Sequence, residues 1–104
     1  MKVLKLTLKK QPFDVMITGE KKSEYRSNSK WIKSRLFDKE GNKRKYDYVE
    51  FVNGYGKDRP RFKAEFINFE KVFKVNKKYS NGLIVNYPKS KEGYYKINLG
   101  KVLR

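Results

Sequence analysis

Residues 19–26 read Gly-Glu-Lys-Lys-Ser-Glu-Tyr-Arg, which puts a lysine, a glutamate and an arginine just beyond a glycine. Each of these types can do chemistry. A lysine in this place can meet a phosphate, or can titrate if it is desolvated. Lys21 would then activate water or attack a carbonyl, with Glu24 shuttling protons. Arg26 offers planar paired donors that suit a phosphate or a base edge. Read as a strand, residues 21–26 alternate: Lys21, Ser23 and Tyr25 point one way, and Lys22, Glu24 and Arg26 the other. Glu24 and Arg26 then share a face. They either pair with each other and fix the arginine fork, or both face a ligand. The plainer alternatives are a rim salt bridge with no ligand role and solvated lysines at 21 and 22, since structural ion pairs mimic sites.

Two other clusters bear on binding. Trp31 sits among Lys30, Lys33 and Arg35. An aromatic among cations can stack a base while the cations hold phosphates; alternatively Trp31 anchors its helix in the core, the reading favoured by the area a buried Trp supplies. In Asn-Gly-Tyr-Gly-Lys-Asp-Arg-Pro-Arg (53–61), the glycines allow close backbone approach, Tyr55 offers a stacking face, and Lys57, Arg59 and Arg61 offer charge. That loop lacks the Gly-Lys-Ser/Thr of a P-loop, so nucleoside triphosphate binding is not indicated.

Composition narrows the choices. With 27 basic and 11 acidic residues in 104, the net charge is +16. Such an excess attracts polyanions at long range. Nucleic acid is the favoured partner class and an acidic protein surface the second; a lysine-rich surface serving only solubility is the bland reading. The sequence has no cysteine and no histidine. This excludes disulfides, thiol nucleophiles, Ser-His-Asp arrangements and zinc sites built on Cys or His. No metal site and no cofactor are expected. Lysines interrupt the first ten residues every two or three positions, so neither a signal peptide nor a membrane span is expected, and the cytoplasm is the default.

The elements that must position these residues fit one domain over 1–104. Hydrophobic residues are 38% of the chain, and 15% aromatics supply core volume. Leu4, Leu6 and Leu8 alternate with polar residues and predict a half-buried strand. Residues 11–19 predict a helix, with Pro12 at its first position, Gly19 past its end, and Phe13, Met16 and Ile17 as its core stripe. Residues 22–27 predict a short strand. Ser27, Asn28 and Ser29 are capping types ahead of an amphipathic helix over 31–37, in which Trp31 or Ile32 lies one turn from Leu36. A polar turn at 38–45 precedes a strand over 46–52, and 53–60 forms a loop. In 61–69 the inward side switches from Phe62, Ala64 and Phe66 to Ile67 and Phe69, which predicts a bulge near Ile67. Residues 71–81 read as a loop. Strands follow at 82–87 and 94–99, joined by a turn at 89–93. The sum is an α+β fold: a small curled or closed sheet of about five to six strands with two short helices at its rim.

The stretch Gly19–Arg26 also resembles the signature of the ASCH family, G-x-K-x-x-E-x-R, at Gly19, Lys21, Glu24 and Arg26. It follows an apolar strand and a segment P-F-D-x-[apolar]-x-x-G, as the motif requires of its context. Later segments, including 31–37, 46–51 and the 53–61 loop, resemble small phage and bacterial members of that family. The resemblance implies a PUA-like β-barrel with RNA as the expected ligand, with Gly19 and Glu24 as motif residues. It also implies the cytoplasm of a host if the chain is phage-encoded. The family is mixed: some members are reported as ribonucleases, and one branch removes acyl groups from N4-acetylcytidine with a lysine, a threonine and a glutamate. Lys21 matches that lysine, whereas Glu24 stands where the branch has threonine.

The leading expectation is therefore a non-catalytic RNA-binding module with a basic cleft around Lys21, Lys22 and Arg26, aided by Trp31, Arg35, Tyr55, Lys57, Arg59 and Arg61. DNA is possible on charge alone, and a monomer is the default. The first alternative is an enzyme acting on RNA or a modified nucleoside, with Lys21 and Glu24 as catalytic groups. The second is a phage-type protein that binds an acidic host protein.

Overall fold

The first strand, β1 (Val3–Leu8), buries Leu4, Leu6 and Leu8 and leaves Lys5 in water, as its alternation dictates. In the computed structural model, which describes residues 1–103, it is followed by α1 (Lys10–Ile17), β2 (Ser23–Ser27), α2 (Lys30–Leu36), β3 (Tyr48–Asn53), β4 (Arg61–Val72), β5 (Val75–Lys78), β6 (Ile84–Tyr87) and β7 (Tyr94–Leu103). Five strands form one mixed sheet in the order β1-β3-β4-β7-β2, and β5 and β6 form a separate hairpin. The fold is α+β: two helices and a curled five-stranded sheet, a half-barrel.

β1 and β3 are parallel, in register at Leu4↔Val49 and Leu6↔Phe51. A parallel pair needs a long crossover, and here it carries α1, β2 and α2. The crossover therefore carries the candidate motif into β2, which pairs with β7 at the edge of the strand order opposite β1. The other sheet pairings are antiparallel. Phe13 and Met16 of α1, Ile32 and Leu36 of α2, and Phe51, Phe62, Phe69, Tyr95 and Ile97 of the strands meet in one core. β4 shifts register between Ala64 and Asn68, and its buried side passes from Phe62 and Ala64 to Phe69. The expected bulge is present, and Ile67 is left exposed beside it.

Several boundaries differ from expectation. α1 begins at Lys10, so Pro12 is its third residue. The first intrahelical bond runs from the Phe13 N–H to Lys9 O, and a proline anywhere in the first turn lacks only an N–H that has no helical partner. Residues 71–81 are not one loop. β4 runs on to Val72, and Val75–Lys78 pairs with Ile84–Tyr87. Only Val75 of β5 is buried, so the strand carries almost no apolar pattern and is held by backbone pairing. The strands number seven among the described residues, of which five make the sheet.

The sheet is not closed by a backbone ladder. Its edge strands are β1 and β2, and a side chain spans the gap: Arg26 Nη2 donates to Thr7 O at 2.9 Å. Among the described residues, no helix is long and apolar enough to cross a membrane.

Candidate functional site: a roofed basic cleft

Gly19 sets the local path. Its φ of 88° is open to glycine and strained for other residues, and it turns the chain out of α1. The Gly19 N–H donates to Met16 O and the Lys21 N–H to Val15 O, which carries Lys21 inward before β2 begins. Because Lys21 is off the strand, the strict alternation expected over 21–26 fails at its start. Lys21 does not point away from Glu24; its Nζ lies 3.0 Å from Glu24 Oε1 and 2.6 Å from Ser23 O.

Lys21 and Glu24, 2% and 6% exposed, are the two buried charged residues among those described. Glu24 Oε2 accepts from Arg26 Nε at 2.9 Å, and Arg26 Nη2 is also 2.9 Å from that oxygen. The arginine then reaches Thr7 O. The result is a chain of charge-assisted bonds, Lys21–Glu24–Arg26–Thr7, in which Glu24 engages one cation with each oxygen. The Lys21 ammonium also lies 5.5 Å from the Tyr25 ring centroid.

Burial is the largest influence on Lys21 and pushes its pKa below the usual lysine value. Glu24 opposes that shift, while Arg26 and Lys77 add to it by repulsion. Tyr79, on the turn of the hairpin, is pushed up to about 12, first by burial and then by Tyr25, Glu24 and Glu20. Burial also raises Tyr87, with Glu24 adding to the shift.

Lys21, Glu24 and Arg26 line a cleft of about 590 Å³. Thr7, Lys9 and Pro12 form one wall and Ser27, Ser29 and Trp31 another, and the β5–β6 hairpin contributes Leu83 through Tyr87 as a roof. The hairpin is tied down at both ends. At its turn, Ser80 donates its N–H and its hydroxyl to the Glu20 carboxylate. Gln11 and Asn81 exchange two side-chain-to-carbonyl bonds. At its base, Tyr87 Oη donates to Tyr25 O at 3.2 Å.

Trp31 lies at the mouth of this cleft, 48% exposed, with the Arg35 guanidinium 5.3 Å from its ring. The core position expected for Trp31 belongs to Ile32, 1% exposed. Ser29 caps α2 by accepting from the Ile32 N–H, which fixes the helix rotation with Ile32 and Leu36 inward and Trp31 outward.

The other candidates lie elsewhere. Lys22 is exposed and borders a second groove with Gly19 and Lys21 on the far side of the motif. The 53–61 loop contributes no residue to the cleft wall. Arg59 Nε donates to Asn53 O, and Arg61 Nη2 donates to Gly56 O and Lys57 O. Arg61 also stands 3.7 Å from Glu50. These two arginines thus brace their own loop, and Tyr55 and Lys57 project into solvent. The roof has little signature in the sequence: 82–87 reads as a strand, but its partner in the lysine-rich segment buries only Val75 and carries no alternation. Among the described residues, no group of three or more acidic side chains is placed to hold a metal ion.

Comparison with family models, curated proteins and solved structures gives no match to this chain. The class is therefore defined by the fold and site alone: an α+β half-barrel with a roofed cleft built on a buried Lys–Glu–Arg chain.

Proposed function

We propose that the chain is a stand-alone, ASCH-like RNA-binding protein of PUA-like fold that uses the cleft around Gly19, Lys21, Glu24 and Arg26. The observation that carries this reading is the exposed Trp31, with Arg35 over its ring, at the mouth of a concave site in a protein of net charge +16. An aromatic face for a base and cations for the phosphates are what single-stranded RNA recognition needs. Arg26 keeps a quarter of its side chain exposed in the cleft while Glu24 fixes its fork, a geometry suited to an anionic oxygen or a base edge. Filter binding with single-stranded RNA tests the reading. Affinity should fall steeply as salt is raised, and absence of binding in low salt refutes it.

A second reading, an enzyme acting on RNA or a modified nucleoside, is favoured by one observation. Lys21 is buried beside a carboxylate, and its pKa is lowered. Incubation with acylated cytidines and with RNA separates the two readings. Product formation that survives Lys21→Ala removes Lys21 from a catalytic role.

A further inference from the structure

The cleft does not end at Trp31. The same indole borders a second concavity of about 310 Å³, which it lines together with Lys5, Arg35 and Tyr46. Tyr46 in turn borders a third, of about 350 Å³, with Lys2 and Lys45. Three hollows thus lie in series, each sharing an aromatic residue, the joint, with the next.

The joints differ in how they are held. Trp31 is half exposed and packs on Arg35, whereas Tyr46 is half-buried. Its hydroxyl donates to Arg35 O at 2.5 Å and its ring meets Phe66 edge-on at 5.6 Å, so its position is fixed from behind. The side-chain ammonium groups of Lys2, Lys5 and Lys45 have no intramolecular partner among the described residues, and all three residues are exposed. Two acidic residues line this path: Glu24 in the first hollow, already paired with Lys21 and Arg26, and Asp38 in the third. Asp38 Oδ1 accepts the backbone N–H groups of Glu40 and Asn42, which ties it into the 38–42 turn.

We propose that these hollows form one track for a single-stranded RNA segment, leading from the roofed cleft over Trp31 and Tyr46 to the turn at 38–45. This rests on the RNA-binding reading above and deepens it. A groove whose cations follow a sugar-phosphate backbone while aromatics punctuate it matches an extended single strand, with a site of about four nucleotides or more. A mononucleotide would occupy only the first hollow. An acidic peptide could use the lysines and would gain little from the aromatic joints.

Trp31 is the chain's single tryptophan, so its fluorescence reports contact at the first joint directly. The probes are uridine monophosphate, oligouridylates of about two to about ten nucleotides, and polyglutamate. Affinity should climb with length through about four nucleotides before levelling. The combined variant Lys2→Gln, Lys5→Gln, Lys45→Gln changes only exposed side chains, and an unchanged thermal melt verifies its fold. It should bind the longer oligouridylates about tenfold more weakly, with a salt slope shallower by about 2 for three lost single-strand contacts. Its response to the mononucleotide should be unchanged. Affinity that is flat beyond two nucleotides, or a variant that binds long RNA like the parent, overturns the track and leaves the cleft reading standing. Absence of binding at every length overturns both. Polyglutamate binding as tight as that of the longest RNA, with the same quenching, overturns the RNA track in favour of an acidic-protein surface.

Discussion

Glu24 Oε1 accepts from Lys21 Nζ at 3.0 Å in a site where both side chains are almost fully withdrawn from water. Two charges buried together are poor evidence of net stabilisation, because desolvation offsets their attraction. Breaking one partner is another matter. It leaves the other charge buried and alone.

Glu24→Ala should therefore destabilise the fold by about 3–5 kcal/mol, because Lys21 and Arg26 lose their shared acceptor. Adding Lys21→Met to it should recover part of that loss. Urea unfolding of the two single variants and the double variant checks this. Strict additivity would mean the pair is not coupled.

The pH dependence of Lys21 has a definite sign. Its pKa in the folded state lies below the ordinary value of 10.5. Between those two pKa values the unfolded chain holds a proton at this site that the folded chain has released. Unfolding then takes up a proton, so the contribution of Lys21 to stability rises with pH across that window. The penalty is fully present below the folded pKa and gone above the unfolded one. Tyr79 runs the other way: its folded pKa of about 12 against 10 makes the folded state hold the extra proton, and stability falls above pH 10. Denaturant midpoints for the parent and Lys21→Met, compared from neutral pH to the edge of the Tyr79 window, should show the parent rising relative to the variant as pH rises. Parallel curves would contradict the burial of Lys21.

The hairpin roof hangs from Glu20. Glu20→Ala removes both acceptors used by Ser80, and amide hydrogen exchange in 75–87 should accelerate while β4 and β7 keep their protection. Uniform acceleration would show that the roof opens only with the whole domain.

Trp31 and Ile32 are neighbours with opposite roles. Trp31→Ala should change stability by about 0.5 kcal/mol or less, as surface changes do, and weaken RNA binding by about 1–3 kcal/mol through loss of a stacking face. Ile32→Ala should cost about 2–5 kcal/mol of stability through the cavity it leaves. Thermal melts and filter binding on the two variants separate these effects. A strongly destabilised Trp31→Ala would return that side chain to the core.

Much of the scaffold was legible because apolar alternation is a direct record of burial. Leu4, Leu6 and Leu8 marked β1, and the change of side between Ala64 and Phe69 marked the bulge. The turn into the motif was legible too, because Gly19 takes the positive φ that its residue type allows. Three things were not legible. The β5 strand buries only Val75, so its pairing left no pattern. The choice between Trp31 and Ile32 as the inward residue turned on helix rotation, which the Ser29 cap and long-range packing decide. The place of the 53–61 loop depends on how Arg59 and Arg61 fold onto its own carbonyls, which spacing alone does not encode.

The bond from Arg26 to Thr7 has a meaning for how this chain coexists with copies of itself. Leu8 O accepts from the Gly54 N–H, on the side of β1 that faces β3. By alternation Thr7 O points outward, along the free edge of the sheet. Free edges recruit foreign strands and seed aggregates. The guanidinium occupies that acceptor and sets a fixed positive charge at the seam, so an incoming strand meets a plug where it needs a partner. Arg26 thereby removes one of the acceptors that a foreign strand would need along this edge.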